Sequence, residues 1–296
     1  MLERLKTALD KTLREEQAGF RQDRSCTDHI ATMRIIIEQS MEWQTPSARC
    51  PREVVPCCKR SRKDRPPDQH KKKTQVMRVN NRQQNPLRLG QEDIKETDKF
   101  VYLGSVLSKD GGTDEDIKSR INKARHAFIV LRPIWNSSAL SIHNKIRIFN
   151  TNVKYVLLYG TETWRTTKTN THKLQTFINR CLRRLINIRW PDVIPNSELW
   201  NKTKQVPIDL EIRKRKWSWI GHTFRKSSSN VTRQALEWNP QGKRKVGRPR
   251  QTWRRSVNKE VKAAGMTWAE LKRIAQNRVR WKSVVAALCS PGNPED

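Results

Sequence analysis

The sequence predicts a mainly α-helical protein with one short strand region and one disordered basic segment. Apolar residues recur at three- and four-residue spacing along most of residues 114–288, which is the period of helices that bury one face. A continuous run of β-branched and aromatic residues stands at residues 99–107. Residues 45–88 show neither pattern. These three observations divide the chain into helical, strand and linker regions.

Two helices are predicted before the linker. In residues 1–18, leucine and alanine recur at helical spacing on a charged background, which is typical of a short amphipathic helix. Residues 27–43 repeat the pattern, with Ile30, Met33 and Ile37 on one stripe. Because the residues that follow offer no apolar face, this stripe needs a packing partner elsewhere in the chain.

Residues 45–88 are predicted to form a disordered basic linker. The segment is rich in proline, lysine and arginine and has few large apolar residues. Within it, Lys71, Lys72 and Lys73 could contact phosphate groups. The alternative is a charge run that is simply solvated.

A strand and a three-helix bundle are predicted after the linker. Residues 99–107 predict one strand, which the turn-forming Asp110-Gly111-Gly112 ends. The first helix begins at Thr113 or Asp114, which can cap it, and stops at Pro133. The other two helices cover about residues 141–160 and 170–188. The residues predicted to face inward are Ile117, Ile121, Ala124, Phe128 and Leu131, then Ile142, Ile146, Phe149, Val153 and Leu157, then Leu174, Phe177, Ile178, Cys181, Leu182 and Leu185.

The last third of the chain is basic and rich in tryptophan. Helices are predicted at residues 209–224, 250–264 and 267–288, between Pro and Gly breaks. Most of the indole rings are expected to anchor short helices to a core. The remaining rings could stack on nucleic-acid bases.

Charge indicates a polyanionic partner. The 296 residues include 61 Lys and Arg against 29 Asp and Glu, a formal net charge of +32. RNA and DNA are the expected partners, while protein partners stay unknown. No run of about 18 apolar residues and no apolar leader follows the first residues, so we expect no membrane association and no secretion. An intracellular protein of the nucleus or cytoplasm is predicted.

Cysteine and histidine spacing predicts no metal site. The six cysteines include no pair at the spacing of a structural zinc site, and no histidine follows at finger spacing. His222 is expected to be a core histidine. We therefore assign no cofactor and no metal ligand.

The strongest binding candidate is residues 243–255. Gly247-Arg248-Pro249 favours an extended backbone that could place arginines in a minor groove, although Val246 stands where such a hook normally has arginine. A solvated basic loop is the equal alternative. In either case the cations should contribute salt-sensitive affinity. They are Lys243, Arg244, Lys245, Arg248, Arg250, Arg254 and Arg255.

Residues 16–28 (EQAGFRQDRSCTD) resemble the fingers-to-palm signature of the reverse transcriptases of non-LTR retrotransposons, in particular RTE-like endonuclease-reverse transcriptases. The resemblance implies that Arg21 and Arg24 approach the template and the incoming nucleotide. Residues 70–77 (HKKKTQVM), which include Lys71, Lys72 and Lys73, are similar to the end of that family's palm. Residues 100–105 (FVYLGS) are similar to the next strand, which implies that Tyr102 and Gly104 support the primer terminus.

The resemblance continues into the C-terminal third. Residues 158–164 (LYGTETW) look like part of the thumb, and residues 215–222 (RKWSWIGH) and 242–253 (GKRKVGRPRQTW) look like the C-terminal domain. The family fold implied is fingers helices, a short palm and thumb strand region, a thumb-like helical bundle and a Trp-rich basic helical domain. The implied segments are 1–44 (fingers remnant), 45–88 (linker), 89–190 (end of palm and thumb-like bundle) and 191–290 (C-terminal domain).

The family's catalytic aspartate segments are missing. The A-F-D type strand and the Y-A-D-D turn do not occur between residues 44 and 70 or later. Polymerisation needs carboxylates that converge on two Mg²⁺ ions, the cofactor of the parent family. We therefore predict no catalytic residues, and a fragment that retains only general nucleic-acid binding. The alternatives are a repurposed DNA- or RNA-binding protein, a relic without function, and a polymerase subunit that takes its aspartates from another chain.

Overall fold

A computed structural model describes residues 25–43, 75–79, 88–89 and 92–289. The chain divides into two compact units. The first contains residues 1–113 and 234–252, and the second contains residues 114–233 and 253–296. The described residues are mainly helical with short strands, so the predicted fold class is confirmed.

The first unit is built on the helix α1 (Cys26–Glu42). Ser25 caps it, since its hydroxyl accepts a hydrogen bond from the Thr27 backbone amide at 3.2 Å. This is the helix that the sequence predicts at residues 27–43. Ile30 and Ile37 are buried as the pattern indicates, but Arg34 is buried as well. The helix therefore buries more of its circumference than one apolar stripe.

In the part of the first unit that the structure describes, the strands form three two-stranded sheets. Strand β1 (Gln75–Val76) pairs in parallel with β4 (Lys95–Glu96), and β2 (Arg88–Leu89) pairs antiparallel with β3 (Glu92–Asp93). Of the predicted disordered linker 45–88, the residues described are 75–79 and 88. They include β1, so the prediction of a linker without structure is wrong at this end of the segment. The reason is backbone pairing, which includes the bond from the Thr97 amide to the Val76 carbonyl at 2.9 Å.

The region predicted as a single strand at residues 99–107 is a β-hairpin. Strand β5 (Lys99–Tyr102) pairs antiparallel with β6 (Ser105–Ser108), and Phe100 lies opposite Leu107. Leu103 and Gly104 form the two-residue turn with φ of 46° and 82°. Two successive residues of positive φ match the right-handed twist of the flanking strands. The sequence hid this turn because leucine rarely adopts that conformation.

Helix α1 packs against this hairpin. The Arg34 guanidinium donates hydrogen bonds to the Ser105 hydroxyl at 2.9 Å and to the Val106 carbonyl at 3.2 Å. Gly111, with φ of 69°, lies so close to α1 that an added Cβ would stand 3.2 Å from Cγ of Glu38. The hairpin is therefore the packing partner that the pattern of α1 required.

Among the described residues, the other helices lie in the second unit, apart from one that crosses its boundary. In chain order they are α2 (Asp114–Val130), α3 (Arg132–Asn136), α4 (Ile142–Ile148), α5 (Tyr155–Leu157), α6 (Lys168–Leu185), α7 (Asn196–Thr203), α8 (Ile208–Phe224), α9 (Val231–Glu237), α10 (Trp253–Ala263), α11 (Trp268–Ala275) and α12 (Arg278–Leu288). Helix α9 runs across the boundary between the units. A π-helical segment (Phe149–Lys154) joins α4 to α5.

The predicted three-helix bundle forms the main core of this unit. Ile117, Phe149 and Leu182 are buried together, one from each predicted helix. The indole of Trp135 in α3 stacks on Phe128 with ring centroids 5.3 Å apart. Ile142, which was predicted to face inward, is 51% exposed because it is the first residue of α4, after the cap Ser141.

The C-terminal part differs from the prediction at one break. The helix predicted at residues 267–288 is two helices, α11 and α12. Asn277 separates them, since its side chain accepts hydrogen bonds from the Val279 and Arg280 amides at 3.0 and 3.1 Å.

Helices α3, α7 and α9 were not predicted at all. Each is eight residues or shorter, which is too short for a periodic apolar pattern.

Tryptophans anchor the C-terminal helices α8, α10 and α12 to one another, as expected. Trp217 and Trp281 are buried with ring centroids 6.2 Å apart, and Trp219 packs edge-on against Trp253 at 5.9 Å. Trp281 donates a hydrogen bond from Nε1 to the Trp217 carbonyl at 3.1 Å. Among the described residues, every helix is too short or too polar to span a bilayer.

Candidate nucleic-acid interface

The predicted site residues fall in three places. Arg21, Arg24, Lys71, Lys72 and Lys73 lie outside the described residues. The first unit holds Tyr102, Gly104, Lys243, Arg244, Lys245, Arg248 and Arg250. The second unit holds Arg254 and Arg255. The basic run at residues 243–255 is thus divided between two units after Thr252.

The basic segment of residues 241–251 is exposed along its whole length. Val246, in its centre, is 94% exposed. Gly242 and Gly247 have φ of 124° and 110°, where a residue with a side chain would be strained. Nothing lies within 4 Å of the position that a Cβ on Gly247 would take. The segment therefore presents its cations to solvent on a backbone that bends at residues 241–242 and 246–248.

Helix α1 anchors the start of this segment. Arg244 pairs with Trp43 in an antiparallel bridge, and the Lys245 amide donates a hydrogen bond to the Glu42 carbonyl at 2.9 Å. The side chain of Arg244 forms an ion pair with the buried carboxylate of Glu42, with Nε and Oε1 2.9 Å apart. Arg244 therefore has a structural partner. The other cations of the segment are Lys243, Lys245, Arg248 and Arg250, and all four are exposed.

The hairpin that carries Tyr102 and Gly104 lies in the same unit. Gly104 occupies the turn, and Tyr102 is half-buried with its ring edge-on to Phe100 at 6.2 Å. Val101, between these two rings in sequence, is 66% exposed. Because α1 contacts both the hairpin and the basic segment, these three elements meet in a single compact unit.

Arg254 and Arg255 belong to the first turn of α10. Both are half-buried, unlike the exposed residues before them. Trp253 starts this helix buried and donates a hydrogen bond from Nε1 to the Glu162 carbonyl at 2.9 Å. The helix buries Val257 and Val261. Arg254 and Arg255 are therefore fixed on a packed helix, unlike the cations of the basic segment.

The second unit also has a cavity of about 1110 Å³. Lys168, Arg213 and Lys259 supply positive charge to its lining, and Asp209 and Glu260 supply negative charge. Lys216 is buried in the wall and forms an ion pair with Glu260, which also accepts a hydrogen bond from Trp217 Nε1 at 2.7 Å. Burial lowers the pKa of Lys216, and the Glu260 carboxylate opposes that shift. This ion pair is satisfied within the protein and leaves no buried charge directed into the cavity.

Two cysteine thiols in the second unit are poorly suited to act as nucleophiles, because burial disfavours the thiolate. Burial raises the pKa of the Cys181 thiol to about 12, and it also raises the pKa of Cys289. In the ranges that the structure describes, no three His, Cys, Asp or Glu side chains converge on a point where a metal ion could bind.

Glu42 and Arg34 position the candidate interface, and sequence reasoning missed both. Glu42 is separated from Arg244 by about two hundred residues, and Arg34 from Ser105 by about seventy. Their ion pair and hydrogen bonds depend on the tertiary fold. The one signal in the sequence was that these charged residues interrupt the helical pattern of α1.

Comparison with known proteins yields two similarities. A domain of unknown function (DUF6451) matches residues 127–159. This stretch begins near the end of α2 and ends just after α5. A transposon-derived protein of Caenorhabditis elegans is 27% identical over 203 residues, which cover 65% of this chain and 71% of that protein. No solved structure matches the chain significantly. The similarity to the nematode protein supports a transposable-element origin for this chain.

Proposed function

We propose that this chain is a catalytically defective fragment of a non-LTR retrotransposon reverse transcriptase that retains general binding to RNA or DNA. The observation that carries the binding proposal is the basic segment of residues 241–251, exposed throughout and anchored to α1 by Glu42. The family proposal rests on the motifs of residues 16–28, 70–77 and 100–105. The similarity to a transposon-derived protein supports it.

Phosphate contact is the chemistry that this segment suits. Lys243, Lys245, Arg248 and Arg250 follow one another on a narrow backbone, with Pro249 between the two arginines. Neutralising phosphates with such cations releases condensed counterions, so affinity falls steeply as salt rises. Contacts to phosphates do not read base sequence. The expected activity is binding with little sequence preference.

The interface is tested by removing four charges. In the variant Lys243→Gln, Lys245→Gln, Arg248→Gln and Arg250→Gln, the anchor Arg244 is kept. The matched control removes the same charges from exposed positions of the second unit, Lys214, Arg273, Arg280 and Lys282. Binding to a labelled duplex is measured over a salt series.

Each phosphate contact contributes about −0.9 to the slope of log K against log salt for duplex DNA. We expect the slope of the first variant to be shallower by the equivalent of about two to four phosphate contacts. The slope of the control should change by the equivalent of less than about one contact. Equal losses in both variants would show that total charge, and not this segment, governs affinity. Wild-type protein that binds no nucleic acid at 50 mM salt would refute the proposed function.

Primer extension tests the loss of catalysis. Purified full-length chain is incubated with a primed RNA template, Mg²⁺ and deoxynucleoside triphosphates. We expect no extension, because the aspartate segments of the family are missing. Extension that disappears when Mg²⁺ is chelated would contradict the proposal.

A further inference from the structure

Trp190 differs from the other tryptophans of the second unit. Its side chain is 90% exposed, whereas Trp164, Trp217 and Trp253 are at most 2% exposed. An indole ring has a large apolar area, so a partner that covers an exposed indole buries more area than it would on a smaller side chain. Trp190 is therefore a surface position that a partner can use.

The loop that carries Trp190 is fixed at its base. It connects α6 to α7, and the Ile188 amide donates a hydrogen bond to the Arg183 carbonyl at 2.9 Å. Arg183 also donates hydrogen bonds to the Ile194 carbonyl at 3.3 Å and to the Asn196 side chain at 2.7 Å. These hydrogen bonds hold both ends of the loop that carries Trp190 to α6 and α7.

Cations lie on this loop and on the helix before it. Arg180 and Arg184 are exposed on the last turns of α6, and Arg189 is exposed in the loop. The exposed carboxylates on the same stretch are those of Asp192 in the loop and Glu198 in the first turn of α7. An apolar protein partner would have to desolvate these guanidinium groups. A nucleic-acid strand would instead neutralise them.

We infer that Trp190 is a stacking platform for an unpaired base of a single-stranded nucleic acid, whose phosphates contact Arg184 and Arg189. This inference rests on the proposed function, because it requires that the chain binds nucleic acid. It adds a second contact surface and a preference for unpaired strands. Aromatic stacking is tolerant of sequence, since every base has a π face.

The test compares Trp190→Ala and Trp190→Phe with the control Val279→Ala, which removes another exposed apolar side chain. Each full-length variant is titrated with an oligothymidylate, with a backbone of the same length whose sites are abasic, and with a duplex. Stacking is worth about 1–3 kcal/mol per base, so Trp190→Ala should bind oligothymidylate about 5- to 100-fold more weakly. Trp190→Phe should lose less than Trp190→Ala, and both should bind the abasic strand like wild type.

The outcomes separate the two proposals. Wild-type protein that binds none of the ligands would overturn both. Salt-sensitive wild-type binding that Trp190→Ala leaves unchanged would overturn stacking alone. Equal losses on the oligothymidylate and the abasic strand would also overturn it, because the ring would then act without a base. If sedimentation shows that Trp190→Ala dissociates an oligomer and changes no strand affinity, Trp190 is a self-association contact instead.

Discussion

Gly221 in α8 lies directly against the indole of Trp281, and the substitution Gly221→Ala tests how the Trp-rich core is packed. A Cβ on residue 221 would stand 2.0 Å from Nε1, 2.3 Å from Cε2 and 2.6 Å from Cδ1 of that ring. Real contacts of this kind are longer than 3.0 Å. Since the indole is rigid, it cannot move one end aside. The whole ring, 3% exposed in wild type, has to shift by about 1 Å or more.

The expected cost is the difference between two opposing effects. Alanine favours a helix interior over glycine by about 1 kcal/mol. Overpacking a core costs about 1–3 kcal/mol, and losing the bond from Trp281 Nε1 to the Trp217 carbonyl leaves a buried group unsatisfied at about 1–3 kcal/mol. We expect Gly221→Ala to lower the free energy of unfolding by about 2–4 kcal/mol.

Urea denaturation followed by far-UV circular dichroism measures this change. Ser218→Ala is the matched control, because residue 218 is an exposed position of the same helix. A double-mutant cycle with Trp281→Ala isolates the contact. On that background Gly221→Ala should be neutral or stabilising by about 1 kcal/mol, since the ring is gone. If Gly221→Ala lowers stability equally on both backgrounds, the contact with Trp281 is not the reason.

Two further predictions concern buried charges in the second unit. Glu260→Ala leaves the Lys216 ammonium and the Trp217 indole buried without their acceptor, so urea denaturation should show a loss of about 3–5 kcal/mol; a loss below about 1 kcal/mol would contradict a buried ion pair. Burial raises the pKa of Glu162 above its ordinary value of 4.5, so the ionisation of this carboxyl opposes folding at neutral pH. This loss of folding stability disappears as the pH falls below 4.5, because the carboxyl is then protonated in both the folded and the unfolded state. The stability of Glu162→Gln relative to wild type should therefore rise from pH 4 to pH 7, and a difference that is constant with pH would refute the assignment.

The long helices could be predicted from the sequence because their buried faces repeat every three to four residues. Ile117, Ala124 and Phe128 mark α2, and Leu174, Ile178 and Leu182 mark α6; all six are buried in the core. Two helix starts also have a local cause, since the hydroxyl groups of Ser25 and Ser141 cap α1 and α4. Such signals need no information from distant residues.

Two breaks in the pattern escaped the sequence for different reasons. The turn at Leu103 uses an apolar residue in a conformation that favours glycine, so composition indicated a continuous strand. At Asn277 the buried positions change phase, from Leu271 and Ala275 to Trp281 and Val285, and the Asn277 side chain caps the second helix. At Leu103 the residue type misleads, whereas the local signal at Asn277 was overlooked.

For the candidate interface, the sequence by itself determined the cations and their order. It also predicted an extended backbone at Gly247-Arg248-Pro249, whereas the structure has bends at residues 246–248. The tertiary structure decided which cations act together. It places the segment on α1 through Glu42, assigns Arg254 and Arg255 to the other unit, and leaves Trp190 in solvent while burying Trp217. The physical reason is that charge and backbone preference are local properties, whereas burial and ion pairing depend on residues far apart in the chain.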